Sequence, residues 1–190
     1  MRTEGVGNSV VFEQHEYEHL DVLAAEAIGE PGQRRFRLIA GTPGDIISLW
    51  MEKEQLQALG LAIEQLLEQL QDTGLDTDSI TPERLPMLAP VDPTAPEYQV
   101  GKMAIGYDDE SRLVAFFAHD IEQESDAEPV FTGRSSIESA SGLAEEIAEV
   151  VAAGRPRCPR CGEVIGPEGH VCPHSNGHLP WDPSTESEPH

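Results

Sequence analysis

Apolar residues recur along this chain in short alternating runs, and twice the spacing switches to a helical one. Val22–Ile28 is an apolar stretch of strand length, closed by Gly29-Glu30-Pro31-Gly32-Gln33. Proline presets φ and glycine tolerates φ > 0, so that stretch reads as a tight turn. Beyond it Phe36, Leu38 and Ala40 alternate with Arg35, Arg37 and Ile39, the pattern of a half-buried strand. Gly41-Thr42-Pro43-Gly44 is a second turn, and Ile46–Met51 a third strand. Leu56, Leu59, Ile63, Leu66, Leu67 and Leu70 then fall on one face of a helix, with Glu52 and Glu54 at its start, where the helix dipole favours acids.

Five prolines (Pro82, Pro86, Pro90, Pro93 and Pro96) break the pattern over residues 72–96, which read as a linker or a loose surface loop. The same order then returns. Tyr98–Tyr107 reads as a strand, Asp108-Asp109-Glu110-Ser111 as a turn, and 113–118 as a strand apolar on both faces. Gln123–Glu128 is an acidic loop before a short strand at Val130–Thr132. Ser135 and Glu138 have the spacing of a capping box. Ile137, Ala140, Leu143, Ala144, Ile147 and Val151 give the second helix its apolar face, with Gly154 and Pro156 as stop signals. Three strands and a helix thus occur twice. The expected fold is α+β, two β-β-β-α units with antiparallel sheet, an order that suggests internal duplication, plus a small C-terminal knuckle in which the CxxC pair Cys158 and Cys161, with Cys172 shortly after, suits a zinc ion. The expected divisions are a polar segment over 1–19, the α+β domain over 20–154 with its linker at 72–96, the knuckle over 155–178 and a flexible tail over 179–190.

The chain carries 35 acidic residues against 12 Lys plus Arg, a formal charge of -23. So negative a surface repels nucleic-acid phosphates and anionic lipids and suits a protein partner better. The first residues hold no apolar run of the length a signal peptide needs, and no stretch reaches the roughly 20 apolar residues that span a bilayer, so a cytoplasmic protein is expected.

The 3 cysteines all lie between residues 158 and 172. An odd, clustered set suits a metal site in a reducing compartment rather than a disulfide framework. In Arg157-Cys158-Pro159-Arg160-Cys161-Gly162 two thiolates two residues apart can face one tetrahedral ion, and Gly162 permits the turn that frees backbone N–H groups to face the sulfurs. Gly169-His170-Val171-Cys172-Pro173-His174 supplies the second pair across a Gly/Pro-rich loop. The expected ligands are Cys158, Cys161, His170 and Cys172 around Zn2+, with His174 as the alternative to His170. A redox CxxC favours the start of a helix, whereas this motif follows a helix end. Four protein ligands leave no open position for water, so the zinc is expected to hold the tail and not to catalyse.

No catalytic residue is assigned. His15-Glu16-Tyr17-Glu18-His19 matches H-E-x-x-H, which on a helix sets two histidines and a general base around zinc. Its acidic surroundings and position near the start of the chain argue for a polar segment instead. Walker, dinucleotide-binding and nucleophile-elbow motifs are absent.

Several of these segments carry a resemblance to a known family: Gly29-Glu30-Pro31-Gly32-Gln33-Arg34, Met51-Glu52-Lys53-Glu54-Gln55 opening the Leu-rich helix, Val151-Ala152-Ala153-Gly154-Arg155-Pro156 running into Cys158-Pro159-Arg160-Cys161-Gly162, and Gly169-His170-Val171-Cys172-Pro173 with Asn176-Gly177 after it. Over roughly residues 20–178 the chain resembles an uncharacterised, actinobacterial-type family, a domain of unknown function. The resemblance implies His170 rather than His174 as the fourth ligand and treats the H-E-x-x-H match as accidental. It implies no substrate or reaction. The expected function is a cytoplasmic binding or adaptor protein with a structural zinc site. The alternatives are a hydrolase, metal-dependent or not, with its site between the halves, and nucleic-acid binding through Arg155, Arg157 and Arg160 beside the knuckle.

Overall fold

A computed structural model describes residues 12–30, 33–77, 79–85, 91–153, 158, 160–161 and 172. The strands are β1 (His15–Tyr17), β2 (Val22–Ile28), β3 (Arg35–Thr42), β4 (Asp45–Met51), β5 (Glu97–Asp108), β6 (Leu113–Asp120) and β7 (Phe131–Ser135), and the helices are α1 (Lys53–Asp72) and α2 (Ile137–Ala152). The protein is mixed α+β, with one seven-stranded sheet in the order β1-β7-β6-β5-β4-β3-β2. Each β-β-β-α run is an antiparallel meander followed by a helix. The two meanders join through a parallel pair, β4 with β5, and β1 adds a second parallel pair beside β7. Both parallel pairs depart from the antiparallel sheet expected. The first follows from α1, which returns the chain to the sheet end where β4 began.

The sheet cannot be flat. Seven strands at ordinary spacing are about 29 Å wide, yet the five steps from Tyr17 on one edge to Val22 on the other span at most about 18 Å. The chain therefore crosses from edge to edge through 18–21, and adjacent residues serve opposite edges. Leu20 N–H donates to Arg134 O on β7 at 2.8 Å, and Asp21 N–H donates to Gly41 O on β3 at 3.0 Å. Leu20 is fully buried at this closure, against Gly133, where an added Cβ would lie 2.9 Å from Leu20 Cδ1 and 2.6 Å from the Phe131 ring.

One face of the sheet, with Leu23, Leu38, Leu49, Val114, Phe116 and Phe131, forms a single core with Leu56, Leu59 and Ile63 of α1 and Ala140, Leu143 and Ile147 of α2. Val114, Phe116 and Ala118 are fully buried, while Leu113 and Phe117 on the opposite face of β6 are only half-buried. The helices touch at Gly60, where an added Cβ would sit 2.9 Å from Ile147 Cγ2. Glu52 and Gln55 cap α1 reciprocally. Ser136, not Ser135, caps α2 and accepts from Ser139 N–H at 3.1 Å; Ser135 is fully buried as the last residue of β7. Part of the proline-broken stretch is held down. Glu83 N–H donates to Glu138 O at 2.9 Å, and Arg84 forms a two-pronged ion pair with Glu149, at 2.9 and 2.7 Å. Among the described residues no helix is long and apolar enough to cross a membrane.

Glu146 ties α2 to the outer edge of β2, accepting from Ala25 N–H at 3.0 Å. Burial is the main reason its carboxyl is pushed up from the ordinary glutamate range, with Glu149 and Glu26 adding like charge. A raised folded-state value means that the folded chain holds this proton more tightly. The contribution is present below the ordinary glutamate range and is lost as pH rises through the shifted value. Glu146→Gln keeps an acceptor for Ala25 and removes the charge. The variant is expected to match or exceed the parent in urea midpoint at neutral pH, the gap closing as pH falls below the glutamate range. A variant much weaker at neutral pH would contradict this.

Candidate metal centre

Helix α2 delivers the chain to the cysteines. Its last turn is held from the sheet by Arg34, whose Nη1 donates to Ala153 O at 2.7 Å across 119 positions of sequence. A cation at the C-terminal end of a helix also meets the negative end of its dipole. No local pattern links residues 34 and 153, so this contact was not legible beforehand.

Cys158, Cys161 and Cys172 come together with their sulfur atoms all within 4.8 Å of one another. Cys158 and Cys172 are 3% and 2% exposed, and Cys161 is intermediate. Cys158 Sγ lies 3.7 Å from Cys172 Sγ. That is far beyond the ~2.05 Å of a disulfide. It matches the edge of a metal-thiolate tetrahedron, since zinc–sulfur bonds of about 2.3 Å place neighbouring sulfurs about 3.8 Å apart. Fourteen positions separate these two residues, so the return of Cys172 to the CxxC pair is a tertiary arrangement. The three cysteines can hold a metal ion. Their soft thiolate chemistry suits zinc and other thiophilic metals and not magnesium or calcium. His170 and His174 lie outside the described residues, as do Arg155, Arg157 and the expected helix stop at Gly154 and Pro156.

The H-E-x-x-H stretch takes a form that defeats its motif. His15, Glu16 and Tyr17 are in β1, so the residues do not line one face of a helix. His15 Nε2 is 2.9 Å from Tyr98 Oη, while His19 is largely exposed and 3.9 Å from Asp21. Tyr17 is buried and donates to Asp45 Oδ1 at 3.2 Å; burial first, then the carboxylate of Asp45, push its phenol well above the ordinary tyrosine range. Among the described residues the cysteines are the sole cluster of three or more metal-ligating side chains. Asp108 closes the β5–β6 hairpin, accepting from Glu110 N–H and Ser111 Oγ–H at 3.0 and 2.8 Å.

The fold and this cluster define a mixed α+β protein with a cysteine cluster able to hold a metal ion, placed after α2 in the chain. The chain belongs to the family described as "Protein of unknown function (DUF3090)", which it matches over residues 15–172. That span runs from the first residue of β1 to the third cysteine, so the seven-stranded sheet, α1, α2 and the thiol cluster all fall within it. No curated protein and no solved structure matches the chain.

Proposed function

We propose that Cys158, Cys161 and Cys172, with His170 as fourth ligand, hold a structural zinc ion, and that the protein is a cytoplasmic, non-catalytic binding or adaptor protein whose C-terminal segment this ion shapes. The observation that carries the reading is the convergence of three thiols within 4.8 Å of one another, two of them buried and 3.7 Å apart. Cysteine and histidine in a closed four-ligand set leave no site for substrate or water. The helices, the sheet and its core involve none of the cysteines, so the body does not depend on the ion.

Cobalt(II) exchanged into the protein tests the closed coordination. The expected spectrum is that of tetrahedral, thiolate-bound cobalt, unshifted by added azide. Chelation is expected to sensitise residues near 158–172 to proteolysis while far-ultraviolet circular dichroism of the body persists. A cobalt spectrum that shifts with azide would reveal an open position and move the reading to a catalytic metal.

A further inference from the structure

β5 has 12 residues and β4 has 7, and they pair over only three positions, Ser48 with Glu97 to Trp50 with Gln99. α1 then takes the chain away from the sheet. Gln55 Nε2 donates to Val100 O at 3.1 Å, and beyond that point the β4 side of β5 has no ladder partner among the described residues. The overhang is not polar. Met103, Ile105 and Tyr107 pair with Ala118, Phe116 and Val114 of β6, so they stand on the core face, half-buried. Beside them a groove of about 380 Å³ opens between β5 and α1, floored by Ala58, Leu59 and Ala62. The opposite face of the overhang carries Lys102, Ala104, Gly106 and Asp108.

We propose that this edge, residues 102–108, pairs antiparallel with the same edge of a second copy of the chain, about a two-fold axis at Ile105. The occupant follows from the register. Centring on Ile105 sets Lys102 opposite the second copy's Asp108 twice over, sets Met103 against Tyr107, and sets Ala104 against Gly106. The apolar positions of both strands then share the core face, and the opposite charges share the other. Gly106 has nothing within 4 Å of an added Cβ, so the backbones can approach there. Asp108 is held charged by its hydrogen bonds from Ser111 and Glu110. An unpaired strand edge is a ready template for such addition. This pairing is independent of the metal site.

Sedimentation equilibrium on the full chain at sub-millimolar concentration and physiological salt tests it, with hydrogen exchange followed over the same concentrations. A dimer of the 20.7 kDa chain is expected, with amides within 102–108 becoming protected as concentration rises. Lys102→Glu changes an exposed residue and sets two like-charge pairs across the axis, and is expected to weaken association about tenfold or more. Asp108→Asn keeps an acceptor for the hairpin turn and is expected to weaken it less. A monomer throughout, concentration-dependent protection elsewhere but not within 102–108, or a dimer indifferent to both substitutions would each overturn the proposal.

Discussion

Cys172→Ser is expected to abolish stoichiometric metal binding. The residue is 2% exposed and its sulfur is 3.7 Å from that of Cys158. A serine hydroxyl is not ionised at neutral pH and is a poor ligand for a thiophilic metal, so the proposed four-ligand site loses one of its thiolates. Structural zinc binds with an apparent free energy on the order of 10–16 kcal/mol near neutral pH, and losing one of four ligands removes several orders of magnitude in affinity. Competition against a chromophoric chelator reads this directly. The diagnostic comparison is Cys161→Ser. Were the cysteines small apolar residues filling a pocket, the cost would follow burial, and the more exposed Cys161 would be the mild case. In a metal centre each sulfur is one bond, and Cys158→Ser, Cys161→Ser and Cys172→Ser lose the ion alike. A graded series that follows exposure would argue for packing.

Phe131→Ala is expected to cost about 3–5 kcal/mol, the usual range for deleting a buried aromatic ring. Phe131 is fully buried in β7, pairs with His15 of β1, and has its ring 6.0 Å from that of Tyr17. It therefore supports β1, beside which the chain crosses to β2 through Leu20, as well as the core. Against a typical stability of about 5–15 kcal/mol this is a large fraction, and urea unfolding followed by Trp50 fluorescence measures it. A second readout separates closure from general weakening. The Tyr17 phenol titrates above ordinary tyrosines because it is buried beside Asp45. If the ring of Phe131 holds β1 in place, Tyr17 in the variant shifts back toward the ordinary range, which ultraviolet titration detects. An unchanged urea midpoint would show that the closure does not depend on this ring.

The elements legible beforehand were those whose periodicity came from one dominant packing surface. Val22–Ile28 emerges with the limits its apolar run suggested, and Leu56, Leu59 and Ile63 of α1 face the core as their spacing implies. β1 was illegible for a physical reason. It has three residues, His15-Glu16-Tyr17, of which only Tyr17 is buried, and its place comes from pairing with residues 131–133 far along the chain. Closure of the sheet was hidden likewise, because Leu20 is one apolar residue in a polar stretch. The cap of α2 moved one position because Ser135 and Ser136 are adjacent and only the strand's extent decides between them. The cysteine cluster was legible because metal ligation requires rare residue types at short spacings, and local sequence shows both. Arg34 at the end of α2 was not, since its partner is a backbone carbonyl and any residue offers one.

The most direct measurement is the zinc-to-chain ratio of the full-length protein, purified under reducing conditions without added metal or chelator, with accessible thiols counted in the same sample. The expected result is one zinc per chain, with the three thiols becoming reactive only as the zinc is withdrawn. A ratio near zero, with all three thiols reactive from the outset and the fold intact, would contradict the assignment of Cys158, Cys161 and Cys172 as a metal centre.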